Sequence, residues 1–226
     1  MIYSQFLERA KDTAKGIITS RGNRLDLLTL LLRLRQICCH PALFEDEMFG
    51  GGYSGGSGKL DLLEELIKSY TESGHRLLIF SQFRSMLDII ASKLDDDGRD
   101  YFYINGLTPA DKRSEMAEQF NGGEKNIFLV SLKAGGTGLN LTGADTVIHY
   151  DPWWNPALTD QATDRAYRIG QTRSVQVIKL AAKGTIEEKI LLMQEKKKML
   201  AEDIIQVNTQ TLSALTDEEI MSLFEF

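Results

Sequence analysis

Apolar residues follow two alternating rhythms through the middle of the chain. Short contiguous runs at Arg76–Phe80, Tyr101–Ile104, Ile127–Val130, Thr146–Tyr150 and Val175–Leu180 are the length of strands and too short for helices. Between them the apolar spacing is helical. Leu60, Leu63, Ile67 and Tyr70 form one stripe, with Gly74 as a stop, and Phe83, Met86, Leu87, Ile90 and Leu94 form another, stopped by Gly98. Thr108 is placed to cap a third helix with Pro109 at its first position, running to Phe120, and Pro156–Tyr167 reads as a fourth. Strands alternating with helices of this length predict right-handed βαβ units and a parallel sheet with helices on both faces, an α/β fold.

The flanks read differently. Residues 2–15 are an amphipathic helix interrupted by Gly16 and Gly22. Leu25–Ile37 is apolar nearly all round, the mark of a helix that is buried or packed on two sides, and Pro41 ends it. Gly50 to Gly58 is a Gly/Ser-rich loop. From Thr185 a long helix is expected, opened by a capping box with Glu188 and striped by Ile186, Ile190, Met193, Leu200 and Ile204. The tail from Thr209 is polar and then closes with Ile220-Met221-Ser222-Leu223-Phe224, a flexible end or a short docking element. The expected division is a helical lead-in at 1–49, a loop at 50–58, the α/β body at 59–183, the long helix at 184–206 and a flexible tail at 207–226.

Charge and cysteines narrow the chemistry. A net charge of −6 and a pI near 5.2 exclude a bulk polycation, so any nucleic-acid contact must be local. Adjacent Cys38 and Cys39, with only three His, exclude a disulfide framework and argue against a structural zinc site. They read as small buried apolar residues in a reducing, intracellular compartment. No apolar run has the length of a membrane span, and the N-terminus lacks a signal-peptide pattern. Met1 leads straight into helix-like sequence, as in a fragment cut from a longer protein.

In a parallel sheet ligands gather at the carboxyl ends of the strands, so the loops there carry the candidate chemistry. Ser81-Gln82-Phe83-Arg84 offers a hydroxyl, an amide and a cation, suited to a phosphate oxygen. Asn105 to Pro109 offers a turn and a helix start. Ser131 to Leu141 combines glycines with hydroxyl and amide groups, a backbone cradle for phosphate or ribose. Asp151-Pro-Trp-Trp-Asn-Pro156 holds two Trp between prolines, either a core anchor or a stacking surface for nucleic acid. In Gln161 to Arg173, Arg165 and Arg168 are three apart and on a helix would share a face, a fork for a polyanion. Gly58-Lys59 imitates the end of a phosphate-binding P-loop, but Tyr53 stands at the first glycine position and Leu60 replaces the metal-binding hydroxyl. With no P-loop and no Asp-Glu pair after an apolar strand, the chain is not expected to bind ATP tightly or hydrolyse it alone.

Four of these segments, Phe80-Ser-Gln-Phe83, Ser131 to Leu141, Trp154-Asn-Pro156 and Gln161 to Gln171, occur in the order and spacing of the second motor lobe of the Swi/Snf family of superfamily-two DNA translocases. Leu34-Arg-Gln-Ile-Cys-Cys-His-Pro41 resembles that family's lead-in. The resemblance implies a RecA-like lobe in which Arg165 and Arg168 are arginine fingers on ATP, with Gly136, Gly138 and Gln161 near the nucleotide. Ser81, Arg84, Thr108, Ser131, Lys133 and Trp154 would meet double-stranded DNA. ATP with Mg²⁺ would be held mainly by an N-terminal motor lobe of the same protein, no protein metal site is expected here, and the long C-terminal helix resembles a brace. A DNA-bound protein complex is the implied cargo and a membrane is not implied; the site of action would be the nucleoid or the nucleus according to source. A strand-separating helicase lobe and a non-enzymatic nucleotide-binding or partner-binding module are the rival readings. Asn105 stands where the family commonly has Asp, and Tyr167 where His is common.

Overall fold

The computed structural model describes residues 2–20, 22–44, 55–132, 138–168, 170–171, 173–203 (197–203 as backbone) and 216–225. In chain order its elements are α1 (Ile2–Thr19), α2 (Arg24–Cys39), α3 (Gly58–Glu72), β1 (Leu77–Ser81), α4 (Arg84–Asp96), β2 (Tyr101–Ile104), α5 (Ala110–Gly122), β3 (Ile127–Ser131), β4 (Thr146–His149), α6 (Pro156–Thr163), β5 (Gln176–Lys179), α7 (Ile186–Asp203) and α8 (Asp217–Ser222). The chain forms two compact units, Leu60–Asp151 with Ala157–Leu180, and Met1–Lys59 with Pro152–Pro156 and Ala181–Phe226. These units cut across the linear division expected from the sequence.

The sheet unit carries five parallel strands in the order β2-β3-β1-β4-β5. Every residue of β1, β3 and β4 is buried, so both faces of the centre are covered, as contiguous apolar runs require. Leu78, Phe80, Phe102, Phe128, Val130 and Val147 line one face under Phe120 of α5 and Ala162 of α6. On the other face α4 packs against β1 and β3. The edge strand β5 is mostly exposed, and the burial of that segment falls on Val175 and Leu180, which flank the strand. Gly74 (φ 79°), Gly98 (φ 64°) and Gly123 (φ 93°) close α3, α4 and α5 in left-handed conformations.

The helical unit buries Phe6, Ala10 and Ala14 of α1, Leu27, Leu31 and Leu34 of α2, Ile186 and Ile190 of α7, and Ile220, Leu223 and Phe224 at its end. α1 continues through Gly16 to Thr19, where the sequence predicts an interruption. Leu25 and Leu32 are exposed, so α2 is buried along one side and not all round. The residue before Pro41 does end α2, since His40 is extended with φ −161° and ψ 130°. Cys38 and Cys39 are buried free thiols. The tail is not loose at 216–225: Thr216 and Glu219 form a capping box on α8, and three closing apolar residues are buried.

Two helix starts depart from their expected caps. Pro109, not Thr108, is the N-cap of α5, because the Thr108 hydroxyl turns back to accept from Asn105 N at 3.1 Å. At α7 the Glu188 carboxylate accepts from Gly184 N at 2.9 Å, one residue short of a reciprocal box with Thr185.

A buried ion pair ties the helical unit together. Glu187 is fully buried, accepts from Ala182 N at 2.8 Å and pairs with Lys59, whose side chain is 6% exposed. Burial lowers the Lys59 pKa, but the Glu187 carboxylate beside it outweighs that effect and the net shift is upward. Thus Gly58-Lys59, the P-loop imitation, opens α3 and gives its lysine to a carboxylate. Removing one partner strands the other charge, so Glu187→Leu should cost about 3–5 kcal/mol in urea unfolding, while Lys59→Met with Glu187→Leu should recover most of it.

His149 in β4 stacks on Phe80 with ring centroids 5.4 Å apart, and its Nε2 meets Thr163 Oγ1 at 2.9 Å. Burial first, then the charge of Lys179, pushes its pKa down to about 4. An unfolded His takes its proton near 6.5, so between pH 6.5 and 4 the unfolded chain binds more protons and stability falls on acidification. At pH 5 this should amount to about 2 kcal/mol relative to pH 7, and denaturant melts of His149→Gln should lack that share of the loss.

Candidate functional site

The parallel register brings the carboxyl ends of all five strands to one edge of the sheet. At the end of β1, Ser81 is fully buried. Its hydroxyl donates to Asp151 Oδ1 at 2.5 Å and accepts from Phe83 N at 3.1 Å. The Gln82 side-chain amide donates to the other Asp151 oxygen, and Gln82 N approaches Oδ1 at 3.3 Å. Asp151 therefore holds the Ser81-Gln82 turn. The sequence reading gave Asp151 no role, although a carboxylate directly after a buried apolar strand needs donors, and the polar pair ending the neighbouring strand supplies them.

Arg84 is exposed at the start of α4, with a loose 3.8 Å approach to Asp88. Thr108 sits in a closed turn whose backbone oxygen accepts from Arg113 Nε at 2.7 Å. Ser131 is buried at the end of β3, and Leu132 N donates to Ser81 O at 3.0 Å. Lys133 and Gly136 lie outside the described residues. Trp154 belongs to the helical unit, partly buried against its core, with the Arg35 guanidinium 5.3 Å from its ring centre.

The segment after α6 differs most from expectation. The helix stops at Thr163, so Arg165 and Arg168 are not neighbours on a helical face. Arg165 N and Ala166 N bond three residues back, and the Arg165 carbonyl is taken by Leu141 N at 3.1 Å, which ends the helical ladder. Arg165 is 3% exposed, and its Nε and Nη1 have no hydrogen-bond partner among the described residues. Burial first, and the charge of Arg168 second, lower its pKa; arginine keeps enough margin to remain charged. A buried cation with two orphaned donors is costly on its own and has the chemistry to receive an anion. Arg168 is exposed and donates to Gly138 O at 3.0 Å, the point where the glycine-rich loop returns with φ 42°. Gln161 is exposed on α6.

Gln171 fastens this turn. Its Nε2 lies 2.7 Å from Ala144 O and 3.1 Å from both Thr142 O and Ala166 O, while its Oε1 accepts from Arg173 N at 2.9 Å. Asn121 secures the loop from the other side, accepting from Gly143 N at 2.8 Å and donating to Asn140 O at 2.9 Å. A Cβ at Gly143 would lie 2.9 Å from Asn121 Cα, so only glycine fits there. Tyr167 hangs its ring on the same turn, its hydroxyl donating to Val175 O at 2.7 Å. Ile-Gly-Gln at 169–171 stood out in the sequence only as a motif; the glutamine's work depends on carbonyls 27 and 29 residues away.

Comparisons with known proteins give the family of the chain. The helicase conserved C-terminal domain family matches residues 58–170. The chain is 41% identical over 224 residues to the putative ATP-dependent helicase/translocase YwqA of Bacillus subtilis, spanning 99% of this chain and 24% of that protein. It is 35% identical over 235 residues to the ISWI chromatin-remodeling complex ATPase ISW2 of Saccharomyces cerevisiae, spanning 99% of this chain and 21% of that one. The chain thus spans about a quarter or less of these relatives. Among solved structures, the Sulfolobus solfataricus SWI2/SNF2 ATPase core in complex with dsDNA superposes with a TM-score of 0.76 at 33% identity, covering 99% of this chain and 47% of that one. The C-terminal domain of the same ATPase gives 0.74 at 29% identity, covering 99% and 92%. The sheet order, the family match and these relatives together place the chain in the helicase conserved C-terminal domain family, as the RecA-like second lobe of a Swi/Snf-type ATPase.

Proposed function

We propose that this lobe completes the ATPase site of a double-stranded DNA translocase, with Arg165 and Arg168 as its arginine fingers. The observation that carries the reading is the Arg165 guanidinium, buried and charged with Nε and Nη1 unsatisfied among the described residues. Its donors fit phosphate oxygens. ATP, with Mg²⁺ held mainly by the first lobe, supplies the phosphoryl group transferred to water. Arg165 offers its unsatisfied donors to the negative charge that develops there, and burial makes that interaction stronger than it would be in water. Arg168, anchored on Gly138 O, adds a second positive charge and ties the finger turn to the glycine-rich loop. Gly136, Gly138 and Gln161 complete the nucleotide-facing edge of this reading.

The same reading sets Arg84, Thr108, Ser131, Lys133 and Trp154 toward DNA, with Ser81 acting through the turn that Asp151 holds. It is supported by the likeness to a Swi2/Snf2 core solved with dsDNA. With acidic overall charge, attraction to DNA must come from few local cations, and Arg84 is an exposed one. This chain alone is expected to lack ATPase activity.

In the full-length protein, Arg165→Ala should lower DNA-stimulated kcat by about 10³-fold or more, as loss of an arginine finger does, with folding unchanged by circular dichroism. Wild-type turnover in that variant would end the finger assignment. Arg84→Ala should weaken DNA binding uniformly across sequences and reduce the slope of log K against log salt by about one phosphate's worth, measured by anisotropy titration.

A further inference from the structure

The last turn of α5 is fixed on both sides of Asn121. Phe120 is fully buried against the sheet, and Gly123 closes the helix in a left-handed conformation with φ 93°. From that fixed point the Asn121 side chain accepts from Gly143 N at 2.8 Å and donates to Asn140 O at 2.9 Å. One orientation of the amide makes both bonds, with its oxygen toward the N–H and its nitrogen toward the carbonyl. The approach is close: a Cβ on Gly143 would lie 2.9 Å from Asn121 Cα and 3.0 Å from its Oδ1.

The stretch that Asn121 grips has no regular structure of its own. Residues 140–145 are neither helix nor strand, and Leu141–Ala144 is a turn closed by Ala144 N donating to Leu141 O at 3.2 Å. Its backbone groups alternate between two neighbours. Asn140 O and Gly143 N go to Asn121. Leu141 N donates to Arg165 O at 3.1 Å, and Thr142 O and Ala144 O accept from the Gln171 amide at 3.1 and 2.7 Å. The same amide reaches Ala166 O at 3.1 Å, so the residue after Arg165 is tied to the turn as well. Past the turn, Asp145 N is anchored on Arg76 O at 3.1 Å; Asn121 anchors the end next to Leu141. Without that grip the turn could shift and carry the Arg165 backbone with it, with the bonds between them intact. All of these residues belong to the sheet unit.

We infer that Asn121 is a positioning residue of the ATPase: from the end of α5 it fixes the 140–144 turn, and through that turn the backbone from which the Arg165 guanidinium projects. The inference rests on the proposed finger role of Arg165. Asn121 touches neither nucleotide nor DNA in that reading, and the proposed DNA contact Thr108 lies ahead of the opposite end of α5. Its loss should therefore slow turnover and spare both affinities.

Hydrogen exchange and kinetics of the full-length protein provide the test. In Asn121→Ala the amides of Leu141 and Gly143 should exchange about tenfold faster, since Gly143 N loses its acceptor and Leu141 N its support. DNA-stimulated kcat should fall about tenfold, with KM for ATP and Kd for DNA each within about twofold, as misplacement of a catalytic group by a distant change does. Asn121→Asp keeps an acceptor for Gly143 N but cannot donate to Asn140 O, so its turnover should lie between those of wild type and Asn121→Ala. Gly143→Ala forces the same contact apart from the opposite side and should move exchange at Leu141 and kcat in the same direction. These two variants carry the test if Asn121→Ala does not fold. Because the role runs through Arg165, adding Asn121→Ala to Arg165→Ala should cost no further turnover. Unaltered exchange overturns the brace, and altered exchange with wild-type kcat overturns the positioning role. A loss of DNA affinity that matches the loss of kcat also overturns it, as do losses that multiply in the double variant. Full turnover in Arg165→Ala removes the finger reading and this role with it, whereas an inactive Arg165→Ala beside a fully active Asn121→Ala removes the role of Asn121 alone.

Discussion

The parallel pairing of β3, β1 and β4 is the constraint from which the rest of the sheet unit follows. Parallel strands cannot turn back by hairpins, so each must be left by a crossover, and every carboxyl-end loop falls on the same edge. Burial of all residues in these three strands demands cover on both faces, which α4 supplies on one side and α5 and α6 on the other. The helices are therefore as much a requirement of the sheet's desolvation as a carrier of site residues. At the ends of two neighbouring strands, Ser81 and Asp151 satisfy each other and the backbone of the turn where the apolar core stops.

On that edge the polar side chains divide into two kinds. Asp151, Gln171 and Asn121 are hydrogen-bonded through both polar atoms of their side chains and act as staples between loops. Arg165 is the opposite, a charge taken out of water with donors left over. Low local polarity makes a satisfied network rigid and an unsatisfied cation costly, so the two kinds belong together: the staples hold in place a group that would otherwise turn to solvent. The helical unit uses the same device around Glu187 and Lys59, where a carboxylate, an ammonium and a backbone amide meet out of water.

Much of the fold could be read from the chain. The five strand runs, the glycines that close α3 and α4, the extended residue before Pro41 and the parallel sheet all follow from local composition and period, and each was found within a residue or two. Helix ends set by distant partners were not legible. α1 runs through Gly16 because Ala10 and Ala14 before it are buried and Ile17 and Ile18 after it are partly buried against the same core, which offsets the cost of one glycine. The apolar cluster at Ile220 to Phe224 gave no sign in sequence of whether it would be buried, since burial depends on a groove made by α1, α2 and α7.

By itself, the sequence determined which segments are strands and helices, the order of the motor-like motifs, and the family to which they belong, because contiguous apolar runs, glycine stops and motif spacing are local properties of the chain. Only the tertiary structure decided how the arginines are used. Leu141 N takes the Arg165 carbonyl and Gln171 reaches back to Thr142 and Ala144, so the helix ends early, Arg165 turns inward and Arg168 stays outside. A three-residue spacing in sequence carries no information about hydrogen-bond partners more than 20 residues away, and here those partners overrode the helical period.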